Sequence, residues 1–157
     1  MSSKFSVAVG CDEAAYELKE TVKKYVQELG YSVEDLGTVK DEQALYPNIA
    51  LAVANSIVKG SNRLGVLMCG TGIGVSITAN KVPGIRAAQA HDTYSAERAR
   101  KSNDAQIVCL GARVVGPELA KSIVKSFLES EFAGGSSAAK VERIAAIEQE
   151  LRAANSP

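Results

Sequence analysis

The chain has 157 residues, 18 Lys and Arg against 18 Asp and Glu, 46% hydrophobic and 23% charged. The balance of charge excludes recognition of nucleic acid or an anionic membrane by net charge, and the length suits one domain over 1–157 with a buried core. No apolar run approaches the roughly 20 residues of a membrane span, and Met1-Ser2-Ser3-Lys4 leads towards a strand with no signal-peptide core, which points to the cytoplasm.

In chain order, apolar runs predict strands at Phe5–Val9, Ser32–Leu36, Leu64–Met68, Ile85–Ala90 and Gln106–Leu110. Helical spacing predicts helices at Ala14–Leu29, Pro47–Lys59, Val75–Lys81, Tyr94–Lys101, Pro117–Glu129 and Ala138–Ala153. Pro47 suits a first helical turn. Apolar strands in strict alternation with helices imply a sheet covered on both faces. The expected fold is therefore α/β, a three-layer, doubly wound, five-stranded parallel sheet (flavodoxin-like or Rossmann-like) with an extra C-terminal helix. Strand order is not set by spacing. Phe132–Ser137 reads as a flexible joint, and Val141, Ile144, Ile147 and Leu151 form a stripe on the helix at 138–153. That stripe predicts packing on a partner subunit.

Cys11, Cys69 and Cys109 are widely spaced, with no metal-ligand pattern, and read as reduced thiols. Cys109 reads as a core residue. Cys69 stands apart, because Cys69-Gly70-Thr71-Gly72-Ile73-Gly74 follows an apolar strand and runs into a helix start. Glycine-loop amides and a helix N-terminus favour anions, including a thiolate, so a base and an oxyanion site fall within a few residues. Val75 stands where a dinucleotide fingerprint needs glycine, the loop follows the third strand, and no Gly-Lys-Ser/Thr occurs, which argues against NAD and a P-loop. A phospho-receiver would need an aspartate where Cys69 lies.

Ligands of open α/β sheets bind beyond the carboxyl ends of the strands. Those ends carry Asp12 and Glu13, the Cys69–Gly74 loop, His91 (the only histidine) and Arg113. Ser102-Asn103-Asp104 lies on the loop entering the fifth strand. A thiol, carboxylates, an imidazole and a guanidinium on one rim suit an enzyme for a small anionic substrate.

Almost the whole chain resembles the ribose-5-phosphate isomerase B group and the galactose-6-phosphate isomerase subunits. The resemblance is carried by Gly10-Cys11-Asp12, Asp35-Leu36-Gly37-Thr38, Tyr46-Pro47, the Cys69–Gly74 loop, Ala79-Asn80-Lys81, Gly84-Ile85-Arg86, Ser102-Asn103-Asp104 and Gly111-Ala112-Arg113-Val114-Val115-Gly116. It implies homodimers, sometimes paired into tetramers, with sites built from both subunits and no metal or organic cofactor. It implies aldose–ketose isomerisation of a sugar phosphate through an enediolate, with ribose 5-phosphate to ribulose 5-phosphate as the leading expectation. Cys69 would be the base; another branch carries a glutamate in this loop, where Ile73 and Val75 stand here. Thr71 and Asp12 would bind or protonate sugar oxygens. Gly70, Gly72, Ile73 and Gly74 would supply the oxyanion loop, Tyr46 and Asn103 would line the pocket, and Arg113 would hold phosphate.

Four positions depart from the family pattern. Glu13 and Ser102 replace histidines, the latter linked to opening a furanose ring. Ser136 and Lys140 replace phosphate arginines, and Lys140 keeps the charge without the bidentate fork. His91 is the candidate to replace the ring-opening group. The alternatives are a four- or six-carbon sugar phosphate, or a non-catalytic sugar-phosphate-binding or receiver-like domain.

Overall fold

The computed structural model describes residues 4–38 and 43–157, so the reading of Met1–Ser3 lies outside the described residues. Five strands, β1 (Ser6–Cys11), β2 (Ser32–Asp35), β3 (Leu64–Cys69), β4 (Ala87–Gln89) and β5 (Ile107–Gly111), form one parallel sheet in the order β2-β1-β3-β5-β4. The helices are α1 (Tyr16–Glu28), α2 (Tyr46–Val58), α3 (Ile73–Ala79), α4 (Thr93–Lys101), α5 (Pro117–Leu128) and α6 (Ala138–Ala154). This is the expected three-layer, doubly wound sheet. Its last two strands are exchanged relative to the 2-1-3-4-5 order of flavodoxin.

Burial explains the layers. The central strands β1, β3 and β5 are almost wholly buried, because helices cover both of their faces. Leu18, Val22 and Val26 of α1, Ala96 and Ala99 of α4, and Ile123, Val124 and Phe127 of α5 pack on one face with Val7, Val9, Val66 and Val108. Ala50, Val53 and Ala54 of α2 and Val75 and Ala79 of α3 cover the other with Ala8, Leu67, Ile107 and Cys109. The edge strands are shorter than their apolar runs suggest. β4 keeps three residues of the expected Ile85–Ala90, and β2 alternates between exposed and half-buried positions, as an edge with one covered face should. Helix α3 starts two residues early, at Ile73, directly on the glycine loop. No residue of α6 is buried, and Ile144, Ile147 and Leu151 stand exposed.

One buried ion pair ties α1 to β2. Lys19, only 2% exposed, donates to Asp35 at 2.9 and 3.2 Å and to the Thr38 carbonyl at 3.0 Å. Burial alone would lift the Asp35 carboxyl, but hydrogen bonds from Lys19, the Gly37 amide and Lys23 outweigh it and hold the group below the usual carboxylate range. Burial would likewise lower Lys19, yet Asp35 and Glu20 raise it. A carboxyl depressed by folding stabilises the fold above its unfolded pKa of about 3.9, and that contribution is lost as pH falls through the folded value. The raised lysine contributes below about 10.4 and loses its contribution as pH rises through its folded value. Asp35→Asn, which leaves the buried Lys19 ammonium only the half-exposed Glu20 at 3.2 Å and the Thr38 carbonyl, is expected to cost about 3 kcal/mol at pH 7. Urea unfolding at pH 7 and pH 3.5 checks this, because the difference from wild type should shrink at the lower pH.

Candidate active site

The strand order reverses between β1 and β3, and a crevice opens at such a switch point beyond the carboxyl ends of the strands. The register pairs Cys11 with Met68, and the Asp12 amide donates to the Met68 carbonyl at 3.3 Å, so Asp12 and Cys69 leave the sheet side by side. A cleft of about 410 Å³ is lined there by Asp12, Tyr46, Cys69, Gly70, Thr71, Ile73, Gly74, Ile77 and Arg113.

The glycines shape the loop. Gly72 has φ +77°, a left-handed conformation costly for other residues, and a Cβ there would stand 2.9 Å from the Leu110 carbonyl carbon. A Cβ on Gly74 would meet the Tyr46 ring, with the phenol oxygen 2.7 Å away, and one on Gly70 would lie 3.2 Å from Arg113 Nη1. The bare backbone therefore lets the phenol and the guanidinium close in over the loop.

Two loop amides are already committed. Gly72 N–H donates to Cys69 Sγ at 3.1 Å, and Ile73 N–H donates to Thr71 Oγ1 at 3.2 Å. Among the described residues, the amides of Gly70, Thr71 and Gly74 have no acceptor. Cys69 is nearly buried but opens to the cleft. The other two thiols are free, enclosed and held in the thiol form: burial pushes Cys11 up to about 12 and Cys109 well above the ordinary range. Asp12 caps the turn after β1 by accepting from the Ala14 amide at 3.1 Å. Burial first, and Glu13 second, raise its pKa, so it holds a proton more readily than an ordinary aspartate. Among the described residues, no carboxylate lies within 4.0 Å of the Arg113 guanidinium, which leaves it available to an anion.

Other expected site residues lie elsewhere in the single chain. Glu13 turns away and accepts from the Ala44 amide at 3.3 Å, and hydrogen bonds from its own backbone amide first and from Ala44 second hold its pKa low. His91 is on the rim but outside the cleft lining, and its Nε2 accepts Gly111 N–H at 3.0 Å. Asn103 enters β5 from the amino end of the sheet and lines a separate cavity of about 480 Å³ with Asn80, Arg86, Arg98 and Ile144. Beside it, Ser102 Oγ accepts from Arg98 Nε and Nη2 at 2.9 and 2.6 Å. Asp104 holds that loop in place with a positive φ of 48° and ion pairs to Arg86 and Arg100. Ala133 N–H donates to the Lys101 carbonyl, which brings the segment leading to Ser136 and Lys140 to the same end. Asn80 is structural: its amide exchanges two 2.9 Å bonds with the backbone of Ala87.

Two groups escape the motif reading. Ile77 lines the cleft one helical turn beyond Ile73, and that i, i+4 apolar pair was a readable signal. Gln89 Nε2 donates to the Thr71 carbonyl at 2.8 Å, a contact with no signature in sequence. Among the described residues, no three His, Cys, Asp or Glu side chains cluster as metal ligands, and no helix is long and apolar enough to cross a membrane.

A thiol open to the cleft, an aspartate with a raised pKa, a guanidinium without a carboxylate partner among the described residues and unused amides around one switch-point cleft are features that suit an α/β enzyme handling a small anionic substrate. Comparison with known proteins names the family. The sequence profile described as Ribose/Galactose Isomerase matches residues 7–144, and the chain belongs to that family. It is 55% identical over 140 residues to the D-erythrulose-4-phosphate isomerase of Pectobacterium atrosepticum, covering 88% of this chain and 92% of that protein. It is 51% identical over 146 residues to the Ribose-5-P isomerase B of Listeria innocua, covering 93% and 99%. Among solved structures, the Clostridium thermocellum Ribose-5-Phosphate Isomerase B superposes with a TM-score of 0.91 at 43% identity, over 93% of this chain and 99% of that one.

Proposed function

We propose that this sugar-phosphate isomerase interconverts D-erythrulose 4-phosphate and D-erythrose 4-phosphate. The observation that carries the reading is the absence of a free imidazole for opening a sugar ring. Ser102 occupies the position where the resemblance expects that histidine, and its hydroxyl is held by Arg98. His91 stands outside the cleft lining with its Nε2 occupied by Gly111 N–H at 3.0 Å, so that nitrogen is not offered to a sugar oxygen. A four-carbon aldose 4-phosphate has no use for ring opening, because the oxygen that would close a furanose bears the phosphate. Ribose 5-phosphate has a free C4 hydroxyl and closes. Ribose 5-phosphate is the second reading, supported by the Listeria relative and the Clostridium structure.

In the proposed mechanism, Cys69 thiolate removes the proton from the carbon beside the carbonyl and returns it to the neighbouring carbon. Thiolate charge is supported by the Gly72 amide, and the enediolate oxygen takes the unused amides of Gly70, Thr71 and Gly74. Asp12, whose raised pKa suits proton donation, and Thr71 serve the sugar oxygens. Arg113 binds phosphate and Tyr46 closes the cleft wall. Asn103 and Lys140, remote from the cleft in one chain, reach it from the second copy of a cytoplasmic homodimer, with the exposed face of α6 at the interface.

Purified protein is expected to turn over D-erythrulose 4-phosphate with kcat/KM at least tenfold above that for ribose 5-phosphate. The reverse preference would establish ribose 5-phosphate instead.

A further inference from the structure

The loop that carries the thiol is braced from behind by β4 and the turn that follows it. The β4–β5 ladder runs to Gln89 and Cys109, and Ala90 N–H still reaches the Cys109 carbonyl at 3.2 Å. One step further the chain turns away into the Asp92 cap of α4, so Gly111 N–H has no β4 carbonyl to meet. The His91 ring supplies the acceptor instead, at 3.0 Å. Gly111 in turn lies against the loop: a Cβ on it would stand 2.7 Å from Thr71 Cα. The Thr71 carbonyl is held from the same strand by Gln89 at 2.8 Å. Gly111 is also the register partner of Cys69, whose carbonyl receives Ala112 N–H at 2.9 Å. Neither His91 nor Gln89 lines the cleft.

We propose that His91 and Gln89 are positioning residues that clamp the Gly111 and Thr71 backbones together and thereby set the Cys69–Gly74 loop, His91 acting as a hydrogen-bond acceptor and not by proton transfer. The clamp rests on the cleft being the reaction site and not on which sugar phosphate is turned over. A backbone shift of about an ångström at such a loop is enough to cost two orders of magnitude in rate, so a brace that touches no substrate still governs turnover.

The test compares His91→Gln, His91→Ala and Gln89→Met with wild type, each first shown folded by its melting curve. Two quantities are measured: kcat and KM on whichever sugar phosphate is turned over, and the rate of Cys69 alkylation by iodoacetamide without substrate. Glutamine presents an amide oxygen at nearly the reach of Nε2 but cannot shuttle a proton. His91→Ala is expected to lower kcat at least tenfold, with KM changed less than threefold, and to change Cys69 alkylation at least threefold. Gln89→Met should do the same to a lesser degree, and His91→Gln should return both quantities to within threefold of wild type. A folded His91→Gln as inactive as His91→Ala, with wild-type alkylation, would assign proton transfer to His91 and overturn the proposal. Wild-type behaviour of His91→Ala in both measurements would overturn it as well. If His91→Ala does not fold, His91→Gln and Gln89→Met decide. If no sugar phosphate is turned over, the functional reading fails while alkylation still decides the clamp.

Discussion

Cys69→Ala is expected to leave a folded protein that binds sugar phosphate with nearly unchanged affinity and turns it over about a thousandfold more slowly. The size follows from the loss of a positioned base in proton transfer, worth 10²–10⁴ in rate. Binding survives because the groups proposed to hold the substrate, Arg113, Tyr46 and the amides of Gly70, Thr71 and Gly74, do not depend on the sulfur. Solvent-deuterium incorporation at the carbon beside the carbonyl is the direct measurement, since it reports proton removal even where net turnover is slow. Residual exchange within tenfold of wild type would remove Cys69 as the base. Iodoacetate gives an independent view of the same sulfur. Cys11 and Cys109 are fully enclosed and kept as thiols by burial, whereas Cys69 opens to the cleft and receives an amide N–H, so labelling should go to Cys69 first. Substrate should protect it.

Gly72→Ala is the smallest change expected to have a comparably large effect. A Cβ at φ +77° costs roughly 1–2 kcal/mol from conformation alone, and here it would also press on the Leu110 backbone at 2.9 Å. The loop can relieve the contact only by moving away from β5, and that movement carries the Gly72 amide off Cys69 Sγ. Turnover is expected to fall at least about a hundredfold, with a lower melting temperature and slower alkylation of Cys69. An alanine variant with wild-type kcat would show that neither the left-handed turn nor the amide-to-sulfur bond matters to the chemistry.

The sequence by itself determined the features that depend on local order and period. Apolar strands in alternation with amphipathic helices leave a parallel, two-sided sheet as the way to bury both faces, and all five strands lie where their apolar runs are. A cysteine at the end of a buried strand, followed by glycines and a helix start, already describes a thiol beside free amides. Only the tertiary structure decided what depends on strand order and on which end of the sheet a loop occupies. The order β2-β1-β3-β5-β4 puts Asp12 beside Cys69, and no spacing along the chain states it. Asn103 lies at the amino ends of the strands, because α4 runs back across the parallel sheet before β5 begins. The rim position of His91 suggested a proton-transfer group. What the ring meets there is an amide left over where a three-residue edge strand stops short, and that is a contact between residues 20 positions apart. Hydrogen bonds from backbone to a distant side chain leave no period or motif in sequence, so only the folded chain shows this contact.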